Sequence, residues 1–177
     1  MKQLDVLITA DKIEEKVKSI AKQISEDYKG KEPVIICTLK GAIYFFSDII
    51  RNLDIPFTMD FAKLSSYRNG TTSGEMQLIC DVTTDIEGKD VIICEDIVDS
   101  GNTLDYFTRL LKEKNPASVK IAAFLSKPSR RQVPIDIDYL GFEIEDKFVI
   151  GYGLDYAERF RELPYVAQIN SPADLED

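Results

Sequence analysis

Three short apolar runs constrain the fold more than anything else in the chain: Val34–Leu39, Val91–Cys94 and Val119–Leu125. The first two barely alternate between apolar and polar residues, the pattern of strands buried on both faces. Amphipathic segments lie between the runs. Ile13, Val17, Ile20, Ala21 and Ile24 repeat at helical spacing behind Asp11, with Glu14 in capping-box position, and Gly30 closes that segment. After a turn at Lys40-Gly41, Phe45, Phe46, Ile49, Ile50 and Leu53 form the inward face of a second helix. Residues 102–113 make a third, with Leu104, Phe107, Leu110 and Leu111 inward. Strands alternating with helices imply an α/β fold around a mainly parallel sheet, in which ligands bind beyond the carboxyl ends of the strands. The loops that matter are therefore those after Leu39, Cys94 and Leu125.

Phe57, Met59 and Phe61 alternate as on a strand with one buried face, further strands are expected near 75–80, at Tyr139–Phe142 and near 165–169, and Gly88 marks a turn. The polar stretch 65–74, SSYRNGTTSG, reads as a mobile loop. The 177 residues suit a single domain, 1–177. A formal net charge of −9 argues against non-specific nucleic-acid binding. No apolar run nears the roughly 20 residues that span a bilayer, and the first residues lack a signal-peptide core, so no membrane association and a cytoplasmic location are expected. Cys37, Cys80 and Cys94 each sit in an apolar stretch and read as reduced core thiols. The chain has no histidine, which removes Ser-His-Asp and Cys-His nucleophiles and His-ligated zinc.

The chemistry concentrates in Val91–Leu104, VIICEDIVDSGNTL. A buried strand ends in two acids, Glu95 and Asp96; an apolar step, Ile97-Val98, leads to a polar loop, Asp99 to Thr103, that opens a helix. Ser100, Asn102 and Thr103 supply donors, Gly101 permits close backbone approach, and a helix amino terminus favours an anion. The bland reading is a capped strand–helix turn with Asp99 or Ser100 as the cap. An acid pair beside a phosphate site needs a divalent cation or sugar hydroxyls to offset repulsion. A phosphate at one end and a diol at the other describe a ribose 5-phosphate. GxxxxGK[ST], a complete dinucleotide fingerprint and GxSxG are all missing from the sequence.

This segment resembles the 5-phosphoribosyl-1-pyrophosphate (PRPP) signature of type I phosphoribosyltransferases. The resemblance extends to the hypoxanthine–guanine phosphoribosyltransferases through LKGA at 39–42, Ser66-Tyr67, Lys127 and the run GFEIEDKFVIGYGLDYAERFREL at 141–163. It implies the type I fold with a small hood built from the terminal segments, about 1–10 and 140–177. It implies purine salvage: transfer of the phosphoribosyl group from PRPP to N9 of hypoxanthine or guanine, giving IMP or GMP and pyrophosphate, with Mg²⁺, in a homo-oligomer (dimer or tetramer).

Carried onto this chain, the resemblance gives Glu95 and Asp96 the ribose hydroxyls, directly or through magnesium, and Asp99 the general acid/base position near N7. Ser100, Gly101, Asn102 and Thr103 would bind the 5′-phosphate; Ser66 and Tyr67 would belong to a mobile catalytic loop. Leu39, Lys40 and Gly41, with a cis peptide common at Leu39-Lys40, would contact pyrophosphate together with Arg161. Lys127 would reach the 6-oxo group, Phe148 would stack on the purine, Val149 would contact its edge, and Asp155 would ligate a second magnesium. Asn102 stands where many relatives carry Lys, and Ser100 where many carry Thr. Taken singly, Lys40, Lys127 and Arg161 are equally surface charges, Phe148 and Tyr152 core residues, and Asp155 a solvated acid.

Two other readings fit parts of the pattern. A PRPP-sensing regulator would share the fold, but the acidic charge and the Ser66-Tyr67 pair weigh against it. A phosphoacceptor domain needs acids on its first strand, and Val34–Leu39 carries none.

Overall fold

The computed structural model describes residues 4–66 and 76–169. In chain order the elements are β1 (Asp5–Ile8), α1 (Ala10–Asp27), β2 (Val34–Leu39), α2 (Ile43–Arg51), β3 (Thr58–Ser66), β4 (Met76–Cys80), β5 (Asp90–Val98), α3 (Asn102–Lys112), β6 (Ser118–Ser126), β7 (Tyr139–Glu143), β8 (Phe148–Ile150) and β9 (Val166–Ile169). A six-stranded sheet runs β4-β3-β2-β5-β6-β7, parallel except for β3 with β4. A three-stranded antiparallel sheet, β1-β9-β8, gathers the two ends of the chain. Because β7 pairs with β6 in the large sheet, the small sheet draws its later strands from residue 148 onward rather than from 140.

The unbroken apolar runs reflect two cores. On β2 and β5, Ile35, Cys37, Ile92 and Cys94 face α1 and α2, while Val34, Ile36, Val91 and Ile93 face α3. Neighbours on a strand point to opposite faces, so burying both faces requires every residue to be apolar.

Several local expectations need correction. Thr9, not Asp11, caps α1: its Oγ1 accepts the Lys12 N–H at 3.4 Å, and Glu14 pairs with Lys18. A threonine two residues before Asp11 leaves both acids in the first turns, where they favour the helix dipole without capping. Phe61 on β3 and Phe57 just before it pack against the first core as expected, but Met59 is 53% exposed and the most buried positions, Asp60 and Ala62, lie on the other face. Asp60 is tolerated inside because it accepts the N–H groups of Phe61, Thr83 and Thr84 at 2.7–2.9 Å. Cys80 lies exposed on the edge strand β4, unlike the buried Cys37 and Cys94. β5 does not end at the acids but continues through them to Val98 along β6. No helix among the described residues is long and apolar enough to cross a membrane.

Candidate active site

Strand order reverses between β2 and β5, the topological position where open α/β sheets bind ligands. The register of these strands ends at Cys37 opposite Cys94. Beyond that point β5 keeps only β6 beside it, and a crevice opens between the loops that follow β2 and β5. Glu95 and Asp96 are the first residues past the parting.

Glu95 is 8% exposed. Burial, and then the neighbouring Asp96, push its carboxyl well above the ordinary range, against the opposing pull of Thr38. A divalent cation would relieve that repulsion, and an oxygen donor set suits magnesium, which keeps waters and takes substrate oxygens rather than an all-protein cage. No group of three or more Cys, Asp or Glu converges among the described residues. Asp155 is ion-paired to Arg161 at 2.8 Å.

Two cavities meet at Asp96 and Asp99. One, of about 200 Å³, is lined by Glu95, Asp96, Asp99, Ser100, Gly101 and Thr103. Gly101, at φ 88°, is itself the N-cap of α3 and has no side chain to cap with. The capped-turn reading holds for Ser100 alone, and the N–H groups of Thr103 and Leu104 meet no side-chain acceptor among the described residues, which leaves them for a ligand. Ser100 Oγ accepts the Asn102 N–H at 3.3 Å, and the loop is pinned from behind by Gln132 N–H and Val133 N–H on Ser100 O. Asn102 donates to Gln132 at 3.0 Å. A β-carbon at Gly101 would meet Val133 O at 2.8 Å, so glycine is required there by space as well as by φ.

The second cavity, of about 530 Å³, takes in Asp96, Asp99, Lys127, Phe148, Val149 and Asp155. Lys127, 8% exposed, faces Asp146 at 3.7 Å. Phe148 is 52% exposed and touches Tyr156 edge-on, which leaves a ring face open. Tyr152, by contrast, is core: its ring lies 4.7 Å from that of Phe124 and its hydroxyl donates to Asp48. A cavity of about 550 Å³ between α1, α2 and residues 162–164 contains none of the candidate residues.

On the other side of the crevice the Leu39-Lys40 peptide is cis. A β-carbon at Gly41 would fall 1.5 Å from Asp96 Oδ2, and one at Gly153 would fall 1.8 Å from Gly41 O. Arg161 Nη1 donates to Gly153 O at 2.7 Å. Lys40 and Arg161 thus flank one spot, and Glu158 occupies it, 2.6 Å from Lys40 and 3.2 Å from Arg161. Ser66 ends β3, where its backbone pairs with Met76. Tyr67 and most of the expected mobile loop lie outside the described residues.

Sequence reasoning missed three charged residues here: Glu158, Asp146 and Arg130, whose Nε lies 2.7 Å from Asp99 Oδ1. The only hint was their position within or beside the runs at 127–131 and 141–163.

Known proteins resolve the family. The profile of the phosphoribosyl transferase domain matches residues 6–157. The chain belongs to the phosphoribosyltransferase family. Hypoxanthine-guanine phosphoribosyltransferase of Bacillus subtilis is 46% identical over 91% of this chain and 90% of its own length. A crystal structure of a hypoxanthine phosphoribosyltransferase from Staphylococcus aureus superposes with a TM-score of 0.91 at 42% identity, covering 98% of this chain and 94% of that one. The bifunctional protein TilS/HprT of Listeria innocua is also 46% identical, but this phosphoribosyltransferase chain spans only 25% of its length. The type I fold expected from the sequence is the fold observed.

Proposed function

We propose that the protein performs purine salvage, joining hypoxanthine or guanine to the phosphoribosyl group of PRPP to give IMP or GMP and pyrophosphate. The observation that carries this reading is the pair of cavities meeting at Asp96 and Asp99, one ending at the amino terminus of α3 and the other in an open phenyl ring and a buried lysine.

In this reading the 5′-phosphate sits on the N–H groups and hydroxyls of Ser100 to Thr103. Glu95 and Asp96 hold the ribose hydroxyls and would hold Mg²⁺. When bound, the metal supplies positive charge that offsets the leaving pyrophosphate. Lys40 and Arg161 bind the same pyrophosphate, taking the place that Glu158 fills between them. The purine lies against Phe148, with Lys127 donating to the 6-oxo oxygen and the Val149 backbone at its edge. As N9 bonds to C1′ and the C1′–pyrophosphate bond breaks, the N7 proton passes to Asp99. Ser66 and Tyr67 would help close the site against water. The reading includes Asp155 as a contact to a second metal, a homo-oligomer (dimer or tetramer) and a cytoplasmic setting.

The test is a spectrophotometric assay with PRPP, Mg²⁺ and each of hypoxanthine, guanine and adenine. IMP or GMP should form only with PRPP and metal together. No nucleotide with either oxopurine would defeat the proposal.

A further inference from the structure

Arg130 is unlike the other charges around the base cavity, because it touches two carboxylates that have different tasks. It ends a single 3₁₀ turn, Pro128–Arg130, that starts directly after Lys127. Its Nε lies 2.7 Å from Asp99 Oδ1, and its Nη1 donates to Asp146 Oδ2 at 3.3 Å. The guanidinium thus spends different edges of one rigid plane on two acids, which an ammonium cannot do. Asp99 Oδ1 is shut off from solvent and has no aligned hydrogen bond, so the ion pair with Arg130 is its one recorded partner among the described residues. Asp146 is shared: its Oδ1 also lies 3.7 Å from Lys127 Nζ.

We infer that Arg130 is a positioning residue for the purine, aiming the Asp99 carboxylate into the base cavity while restraining Asp146 from the Lys127 ammonium. Holding one oxygen of Asp99 leaves the other for the proton on N7. Holding Asp146 leaves Lys127 able to donate to a 6-oxo oxygen. Without the guanidinium, Asp99 would be a bare carboxylate three residues beyond Asp96 and repelled by that acid pair, and Asp146 would close on Lys127. Two cations, Lys127 and Arg130, face four acids, Asp96, Asp99, Asp146 and Asp155, around this cavity, and removing Arg130 leaves Lys127 alone against them. The inference rests on the roles proposed for Asp99 and Lys127.

The experiment is a double-mutant cycle on the full chain. Arg130→Gln and Arg130→Lys are made alone, and Arg130→Gln is combined with Asp99→Asn. kcat and KM are read for hypoxanthine and for PRPP, and folding is checked by thermal unfolding; Arg130 is half-exposed, so both variants should fold. Arg130→Gln should lower kcat/KM for hypoxanthine about tenfold, the size of one coupled contact, with KM for PRPP unchanged. Arg130→Lys should recover part of that loss. On the Asp99→Asn background, Arg130→Gln should cost less than about twofold. Multiplicative effects, an equal rise in the PRPP KM, or wild-type constants in both single variants would overturn the inference. Wild-type turnover in Asp99→Asn would instead overturn the proposed role of Asp99, and this inference with it.

Discussion

Gly153→Ala should disable the pyrophosphate side of the crevice from a position that bears no functional group. Gly153 has φ +100°, where an added β-carbon costs about 1–2 kcal/mol. That carbon would also fall 1.8 Å from Gly41 O, whereas an ordinary carbon–oxygen contact is about 3.3 Å. The obstacle is backbone, so no rotamer relieves it. Gly41 is itself closely packed, since a β-carbon there would meet the Asp96 carboxylate. Forced overpacking of this kind costs about 1–3 kcal/mol. Adding strain to overpacking gives roughly 2–5 kcal/mol, or on the order of 10 °C in melting temperature for a chain of this size. Because Gly153 also accepts from Arg161 and abuts the Gly41 carbonyl, one residue past Lys40, the KM for PRPP should rise as well. Gly30→Ala is the control: φ is +77° but nothing lies within 4 Å, so only the conformational cost of about 1–2 kcal/mol applies. Thermal unfolding and initial rates with varied PRPP measure both effects. If Gly153→Ala melts like Gly30→Ala and keeps the wild-type KM for PRPP, the close contact has no energetic meaning and the reasoning is wrong.

Other outcomes follow from the same geometry. Lys127→Ala should raise the KM for hypoxanthine by about tenfold or more, the worth of a charge-assisted hydrogen bond, while an unchanged KM would remove the 6-oxo contact. Glu158→Gln should strengthen product inhibition by pyrophosphate about twofold, the scale of an exposed ion pair, because Lys40 and Arg161 lose an internal competitor; weaker inhibition would contradict this. Burial pushes both the Tyr28 hydroxyl and the Cys37 thiol up to about 12, from ordinary values of 10.0 and 9.0. Folded-state values lie above unfolded ones, so the stability involved is complete below about pH 9 and is lost as pH rises toward about 12. Urea midpoints should fall across that window and fall less steeply in Tyr28→Phe.

The frame of the fold was legible because burial on two faces leaves its mark on every residue of a strand: Val34–Leu39 is β2 residue for residue. The small sheet was harder to read. β8 has three residues and β1 is largely exposed, so neither shows a usable period. On β3 the face carrying Phe57 and Phe61 was read correctly, but the second buried face was not, since Asp60 is a buried acid with partners more than twenty residues away in Thr83 and Thr84. At the site, the phosphate loop and acid pair were readable as contiguous sequence. Arg130 with Asp99, and Glu158 with Lys40, were not: they join residues 31 and 118 positions apart, and only the folded backbone makes them neighbours.

Asp96 and Asp99 stand as a party wall between two chambers. Whatever enters one chamber leans on the partition that shapes the other. By reciprocity the first tenant's influence on the second equals the second's on the first. Any acquaintance between donor and acceptor before they bond would run through the residues that both chambers share, these two carboxylates and Ile97 between them.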